Sequence, residues 1–384
     1  MIKLIRGVIY DDCSIPQTNR GNRVIVSTAD LHFGSIDPKD TYKILKEQFI
    51  DKIKLLPRLD IIVIAGDIFE RKYMANSDPI TYGTLFMGEV MQIAREKNAS
   101  VIVVMGTREH DADQLRLFYH YRNNPEYDIY IVEQIQYVYT KGMQILCIPE
   151  LYGIPEEQYD LFLNHSFYDM CIMHGTIKGS VYGDNVKEGR LFTINDFQYC
   201  IGPIISGHVH TGGCFDKDFY YTGSPIRYKF GEEDTKGFLI LLYDLDSRRY
   251  MMHLEPIESF RYDTISLDEL LLAEPKDVID YINDLKEKEN IDFIRIEITP
   301  DYPQEHTELL KSYFRNRQDV KFKIEKNKRT EEEIINKESE LYDQYNYIFD
   351  SNLSEFEILA RYINDKEGYV IVEAETIKKL MEEK

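Results

Sequence analysis

The sequence predicts an α/β layered protein, and three observations predict it. Short Val- and Ile-rich runs alternate with amphipathic helical stretches from about residue 24 to about residue 255. Five of those runs end in short motifs built from Asp, His and Gly. A buried strand of an open α/β sheet delivers polar side chains in that way, at its carboxyl end, where such sheets place their sites. At 384 residues the chain also exceeds the usual size of a single domain, so a second domain is expected.

The elements follow in order. The first 23 residues, with Ile2, Leu4, Ile5, Val8 and Ile9, read as an edge strand and a loop. Thr41 to Leu55 reads as a helix, with Ile44, Leu45, Phe49, Ile53 and Leu56 on one face. After Gly212-Gly213, the segments Phe219-Tyr-Tyr-Thr and Gly237 to Tyr243 read as a closing β-meander, separated by Gly223-Ser-Pro225. The composition shifts after Pro256. Residues 275–286, 293–298, 306–314 and 320–324 then read helix, strand, helix, strand. Val320, Phe322 and Ile324 alternate with lysines, as a half-solvated strand requires. Thr330-Glu-Glu-Glu333 and Ser354-Glu-Phe-Glu357 each fit a capping box opening a helix. The apolar stripes behind them are Ile334, Leu341, Tyr345 and Ile348, then Phe356, Leu359, Ala360 and Ile363. Such helices either pack on their own chain or dock on a partner helix.

Composition narrows the function classes. A hydrophobic fraction of 43% and a charged fraction of 29% are those of a soluble globular chain. The longest apolar runs fall well short of the roughly 20 residues a membrane span needs, and Met1-Ile-Lys-Leu-Ile-Arg lacks a signal-peptide core. The five cysteines are scattered without CxxC spacing, which reads as reduced thiols in a cytosol. A net charge of −21 argues against tight, unaided DNA binding and leaves metal-dependent phosphoester chemistry open.

The five motifs carry the chemistry. Asp30-Leu-His32 places two donors on one side of an extended chain. Gly66-Asp67 lets the chain leave a strand sharply while a carboxylate points inward. Gly106-Thr-Arg-Glu-His110-Asp111 follows a third run, His174-Gly175 a fourth, and Gly207-His208-Val-His210 a fifth. Two aspartates and several imidazoles gathered at neighbouring strand ends make a metal site, and a two-metal one. His120, His165, His253 and His306 stand outside the motifs and are read as non-catalytic. Lys178, Lys187, Arg190, Arg227 and Lys229 flank the last motifs, where solvated surface is the ordinary role for any one of them.

The order DxH, GD, G…HD, H and GHxH resembles the calcineurin-like metallophosphoesterase superfamily. Ser27-Thr-Ala-Asp30-Leu-His32-Phe-Gly, Gly66-Asp67-Ile-Phe-Glu and Tyr221-Thr-Gly-Ser-Pro225-Ile-Arg-Tyr are similar to the SbcD-type DNA repair exonuclease subunits within it. The resemblance implies a four-layer α/β/β/α metallophosphoesterase sandwich over residues 1–258. A small α+β capping domain over 259–327 and C-terminal partner-binding helices over 328–384 would follow. It implies two divalent ions, Mn²⁺ by preference. Asp30, His32 and His210 would serve one, His174 and His208 the other, with Asp67 bridging. His110 would stabilise the transition state or protonate the leaving oxygen, and Asp111 would orient its imidazole. The implied function is DNA cleavage in repair, recombination or replication. The implied assembly is a homodimer with an SbcC-like coiled-coil ATPase, in the cytoplasm and nucleoid of a bacterial or phage-infected cell. A small-substrate phosphodiesterase or phosphatase, or a slow scaffold subunit, are the alternatives. The third motif departs from the family. Where the family has Gly-Asn-His, with the Asn as a ligand, Thr107-Arg108-Glu109 precedes His110. Thr107, Glu109 or a water would fill that place.

Overall fold

The computed structural model describes residues 7–9, 21–180, 190–216, 218–267, 274–299, 302–324, 353–367 and 373–382. Lys187 and the first predicted capping box, with its stripe, lie outside the described residues.

Burial follows the sequence period. The strands β1 (Gly7–Ile9), β2 (Asn22–Thr28), β3 (Ile61–Ala65), β4 (Ser100–Val104) and β5 (Asp128–Val132) belong to one sheet. The strands β6 (Gln136–Thr140), β7 (Met143–Ile148) and β8 (Met170–His174) belong to a second. Two short strands, β9 (Thr176–Ile177) and β10 (Leu191–Phe192), pair with each other. Later come β11 (Ile204–Gly207), β12 (Gly213–Asp216), β13 (Phe219–Tyr221), β14 (Gly237–Asp244) and β15 (Tyr250–Pro256). The first sheet runs β1-β15-β14-β2-β3-β4-β5 and the second β12-β13-β11-β8-β7-β6.

β3 and β4 are buried along their whole length, so they read as unbroken apolar runs rather than alternating ones. Alternation persists in what each face meets. Ile62, Ile64, Val101 and Val103 share a core with the helical residues Leu45, Phe49, Phe86 and Val90. Ile61, Val63, Ile102 and Val104 share another with Ile145, Cys147, Ile172 and Ile205 of the second sheet. That sheet's opposite face, through Leu146, Ile148, Cys171 and Met173, packs on Tyr159 and Leu163 of helix Glu156–Leu163. The result is the expected α/β/β/α sandwich.

The first helical stretch forms where the apolar spacing puts it, but in three parts. An α-helix Pro38–Leu45 passes into a π turn Lys46–Ile50 and returns to α at Asp51–Leu55. Asp37 opens it by accepting the Lys39 amide at 2.8 Å. The wider π turn suits the spacing of four between the buried Leu45, Phe49 and Ile53.

The predicted meander is corrected. β13 lies in the second sheet, parallel to β11, whereas β14 joins the first sheet between β2 and β15. Residues 222–236 carry the chain from one sheet to the other, a crossing that apolar periodicity does not reveal.

Beyond the sandwich, β16 (Tyr262–Ser266), β17 (Phe293–Ile298) and β18 (Val320–Ile324) form a three-stranded sheet in that order. Helices Pro275–Lys288 and Gln304–Tyr313 fall where the composition shift predicts them. The chain divides into two compact units, 1–265 with 276–295 and 316–321, and 266–275 with 296–315 and 322–384. The second capping box forms as predicted. The Ser354 hydroxyl accepts the Glu357 amide at 3.3 Å, and the Glu357 carboxylate accepts the Ser354 amide at 2.7 Å.

Within the first unit, Asp319 accepts from Arg317 at 2.7 and 3.2 Å and pairs with Lys286 at 2.5 Å. Burial alone would raise its carboxyl, but these hydrogen bonds hold it below the usual carboxylate range. A depressed folded pKa contributes stability above the unfolded value near 3.8, lost as pH falls through the folded one. Discounted for its partial exposure, Asp319→Asn is expected to cost about 1 kcal/mol at pH 7. Urea melts of both chains at pH 7 and in steps down to about pH 2 should show that difference shrinking below the unfolded value.

Candidate metal centre

The carboxyl ends of six strands, three from each sheet, converge on one point. β2 leads to Asp30 and His32, β3 to Asp67, and β4 to Gly106 and Thr107. In the second sheet β8 ends at His174, β11 leads to His208 and His210, and β7 leads to Glu150. Register fixes the neighbours, since Gly207 pairs with His174 and Ile148 with Met173.

The backbone is bent to deliver these groups. Asp30, His32, Asp67 and His208 all adopt positive φ, at 53°, 40°, 54° and 81°. Each such residue costs on the order of 1–3 kcal/mol and persists only where its surroundings impose it. Here the two loops hold each other, through Asp30 N–H to Gly66 O and His32 N–H to Asp67 O, both 3.0 Å. Gly66, with φ of 91°, is obligatory for a second reason. A Cβ there would stand 2.2 Å from His174 Nδ1.

Three of the imidazoles have Nδ1 against a group that fixes the ring. His32 Nδ1 lies 2.9 Å from Glu70, His210 Nδ1 3.1 Å from Glu232, and His174 Nδ1 2.7 Å from the Ala65 carbonyl. With Nδ1 turned to an acceptor, each ring aims Nε2 inward. His32 Nε2 and His210 Nε2 consequently face each other at 3.0 Å, and the buried His174 Nε2 makes no hydrogen bond. Ring nitrogens converging among buried carboxylates are the donors that a cation would take up. The residues fit a divalent metal.

The donors fall into two sets. Asp30, His32 and His210 form one, and Glu150, His174 and His208 the other, with donor atoms in each set all within 4.8 Å of one another. Asp67 Oδ2 lies 3.7 Å from His32 Nε2 and 3.4 Å from His174 Nε2, so it stands between the sets. Burial opposes charge on Asp67, yet His174, His110 and His32 hold its carboxyl well below the usual range. Burial likewise opposes charge on His174, but Asp67 and Asp30 lift it well above its ordinary value. The field that raises these imidazoles is one that favours a divalent cation.

His110 sits on the short helix Arg108–Asp111, with Nδ1 2.9 Å from Asp67. Asp111 takes a different place from the one expected. Its carboxylate accepts the amides of Asp67 and Gly106, at 2.8 and 2.9 Å, and of Ile68, at 2.9 Å. It therefore ties the β3 and β4 loops together, and Asp67 rather than Asp111 meets the His110 ring. A fully buried carboxylate satisfies three otherwise orphaned N–H groups that way.

Of the other sequence candidates, Glu109 is exposed and Thr107 lies at the edge of the site. Lys178 and Lys229 are exposed as well. Arg190 lies over the Tyr159 and Phe192 rings and bonds Asp196, while Arg227 donates to the Asp234 carbonyl. His120, His165, His253 and His306 join no donor group among the described residues. Sequence reasoning missed Glu150, Glu70's hold on His32 and Glu232's hold on His210. Glu150 carried a readable signal, because it too follows an apolar run, Met143 to Ile148.

Residues 24–212 match the family model of the calcineurin-like phosphoesterases. A relative in Invertebrate iridescent virus 6, provisionally named phosphoesterase 244L, is 23% identical over 207 residues, which cover 50% of this chain and 67% of the viral one. A solved crystal structure aligns with 61% of this chain and 99% of its own, at 14% identity and a TM-score of 0.35. No helix among the described residues is long and apolar enough to cross a membrane. With strand ends and motif order in the family's pattern, residues 24–212 belong to the calcineurin-like metallophosphoesterase superfamily, whose members hydrolyse phosphoesters with divalent metal.

Proposed function

We propose that this chain is a two-metal DNA nuclease of the SbcD type, the nuclease subunit of an SbcCD-like complex in DNA repair, recombination or replication. The observation that carries the two-metal reading is the position of Asp67 between the donor sets. Two divalent cations, Mn²⁺ by preference for mixed carboxylate and imidazole donors, would polarise the phosphate, activate water and neutralise charge there. Asp30, His32 and His210 would hold one, and His174 and His208 the other, with Asp67 shared.

The chain's own residues do the rest. Glu70, Glu232 and the Ala65 carbonyl orient the rings, and Asp111 holds the two loops that carry Asp67 and Thr107. His110 is the proton donor to the leaving oxygen. Asp67 beside it raises its pKa although burial opposes this, and its side chain keeps 25% exposure.

Two features support DNA over a small ester. Tyr228, in the segment similar to SbcD-type nucleases, bonds the Leu31 carbonyl and sets its ring centroid 5.6 Å from that of His32. Residues past 260 add a sheet and helices that a small-molecule phosphatase does not need. On this reading 1–258 form the nuclease domain, 259–327 the capping domain, and 328–384 the helices gripped by an SbcC-like coiled coil. That partner would supply the DNA-binding surface that a chain of net charge −21 lacks, and would join two copies of the nuclease. A cytoplasmic, nucleoid-associated location follows from the same reading.

The test is cleavage of end-labelled linear double- and single-stranded DNA with Mn²⁺, beside a generic phosphodiester. DNA cleavage abolished by EDTA is the expected result. Turnover of the generic ester alone, with DNA uncut even beside the ATPase, would favour a small-substrate phosphodiesterase.

A further inference from the structure

We propose that Glu150 is a metal ligand of the second donor set, filling the place where the family motif carries an asparagine. This rests on the two-metal reading and is independent of whether the substrate is DNA.

Position comes first. β7, β8 and β11 are neighbours in the second sheet, and their carboxyl ends lead to Glu150, His174 and His208. Glu150 Oε2 lies 3.7 Å from His174 Nε2 and 3.4 Å from His208 Nδ1. The His174 side chain is wholly buried, its Nδ1 is committed to Ala65, and its Nε2 stands 3.4 Å from Asp67 Oδ2 and 3.7 Å from Glu150 Oε2 without a hydrogen bond. A buried ring nitrogen left without a hydrogen bond among carboxylates is satisfied when a cation is shared between them.

The rival candidates are committed elsewhere or turned away. Thr107 directly follows Gly106, as the asparagine does in the family motif, but its side chain is shorter. Its hydroxyl lies 3.2 Å from Asp67 Oδ2 and 3.0 Å from Glu150 Oε2, while its amide donates to Asp67 Oδ1 at 2.7 Å. Thr107 therefore positions the two carboxylates, spending its only hydroxyl proton on them. Glu109 points to solvent. Glu150, at 10% side-chain exposure, enters from the opposite sheet and supplies the missing oxygen.

The exchange alters the chemistry of the site. A neutral amide oxygen becomes an anionic one, giving three carboxylates, Asp30, Asp67 and Glu150, around the two sets. Carboxylate donors favour harder cations, so Mn²⁺ gains on Zn²⁺.

The test is Mn²⁺ binding to the full chain by equilibrium dialysis with elemental analysis, which needs no turnover. The wild type should bind two ions per chain. Glu150→Ala should bind one. Glu150→Gln, which keeps size and shape, should weaken the second ion by about tenfold or more. Glu109→Gln should bind two as the wild type does. If Glu150→Ala fails to fold by circular dichroism, the glutamine variant decides. Unchanged affinity for both ions in the Glu150 variants would overturn the assignment alone. A wild type that binds one ion would overturn the two-metal reading and the assignment together.

Discussion

Asp67→Asn is expected to lower kcat/KM for phosphodiester hydrolysis by about 10³-fold or more, with loss of bound metal. The size follows from what one metal-centred clamp is worth, several kcal/mol of transition-state stabilisation at about 1.4 kcal/mol per tenfold. The substitution is nearly isosteric, so its effect is confined to chemistry. Asn can still accept the Thr107 amide that now meets Oδ1 at 2.7 Å. Its amide nitrogen would replace Oδ2, which stands 2.9 Å from His110, 3.4 Å from His174 and 3.7 Å from His32. A donor there faces groups arranged around an anion and cannot bridge two cations. Dialysis against Mn²⁺ beside steady-state kinetics separates the outcomes. Retained activity at normal metal content would remove Asp67 from the bridging position, whereas a lost far-ultraviolet dichroism spectrum would mean that the loop, not the charge, had failed.

The sequence made the strand ends legible because buried parallel strands leave two marks, an unbroken apolar run and a polar residue where the run stops. Asp30, Asp67, His174 and His208 were all readable on that basis, and the structure gathers them. Glu150 bears the same mark, but it belongs to no recognised motif. Nothing in one dimension says that β7 lies beside β8, so its carboxylate had no partner to be counted with. Asp111 shows the reverse case. Adjacency to His110 in sequence suggested contact between the two side chains, yet on a single helical turn neighbouring residues point apart. Its carboxylate instead meets the Asp67, Ile68 and Gly106 amides, contacts that exist only once β3 and β4 are paired. The split between β13 and β14 was illegible for a similar reason. Both are apolar strands, and only the path of residues 222–236 assigns them to different sheets.

His110→Gln is expected to lower kcat by about 10²–10⁴-fold on DNA while leaving the number of bound Mn²⁺ ions unchanged. The range is that of a positioned general acid. Three observations place it in that role rather than among the ligands. Its ring keeps 25% side-chain exposure, against 4% for His32 and none for His174, so it alone of the three imidazoles facing Asp67 is open to an incoming phosphate. It rides a four-residue helix after β4 rather than a strand end. Asp67 and Glu70 raise its pKa despite the opposing effect of burial, which keeps more of it protonated at neutral pH. A proton donor matters in proportion to how poor the leaving group is. The loss should therefore be large for a deoxyribose oxygen and less than about tenfold for a nitrophenolate, which departs without protonation. Equal losses on DNA and on bis(p-nitrophenyl) phosphate would contradict the acid role. A drop in bound Mn²⁺ would instead make His110 a third donor beside His32 and Asp67, a grouping the geometry also permits.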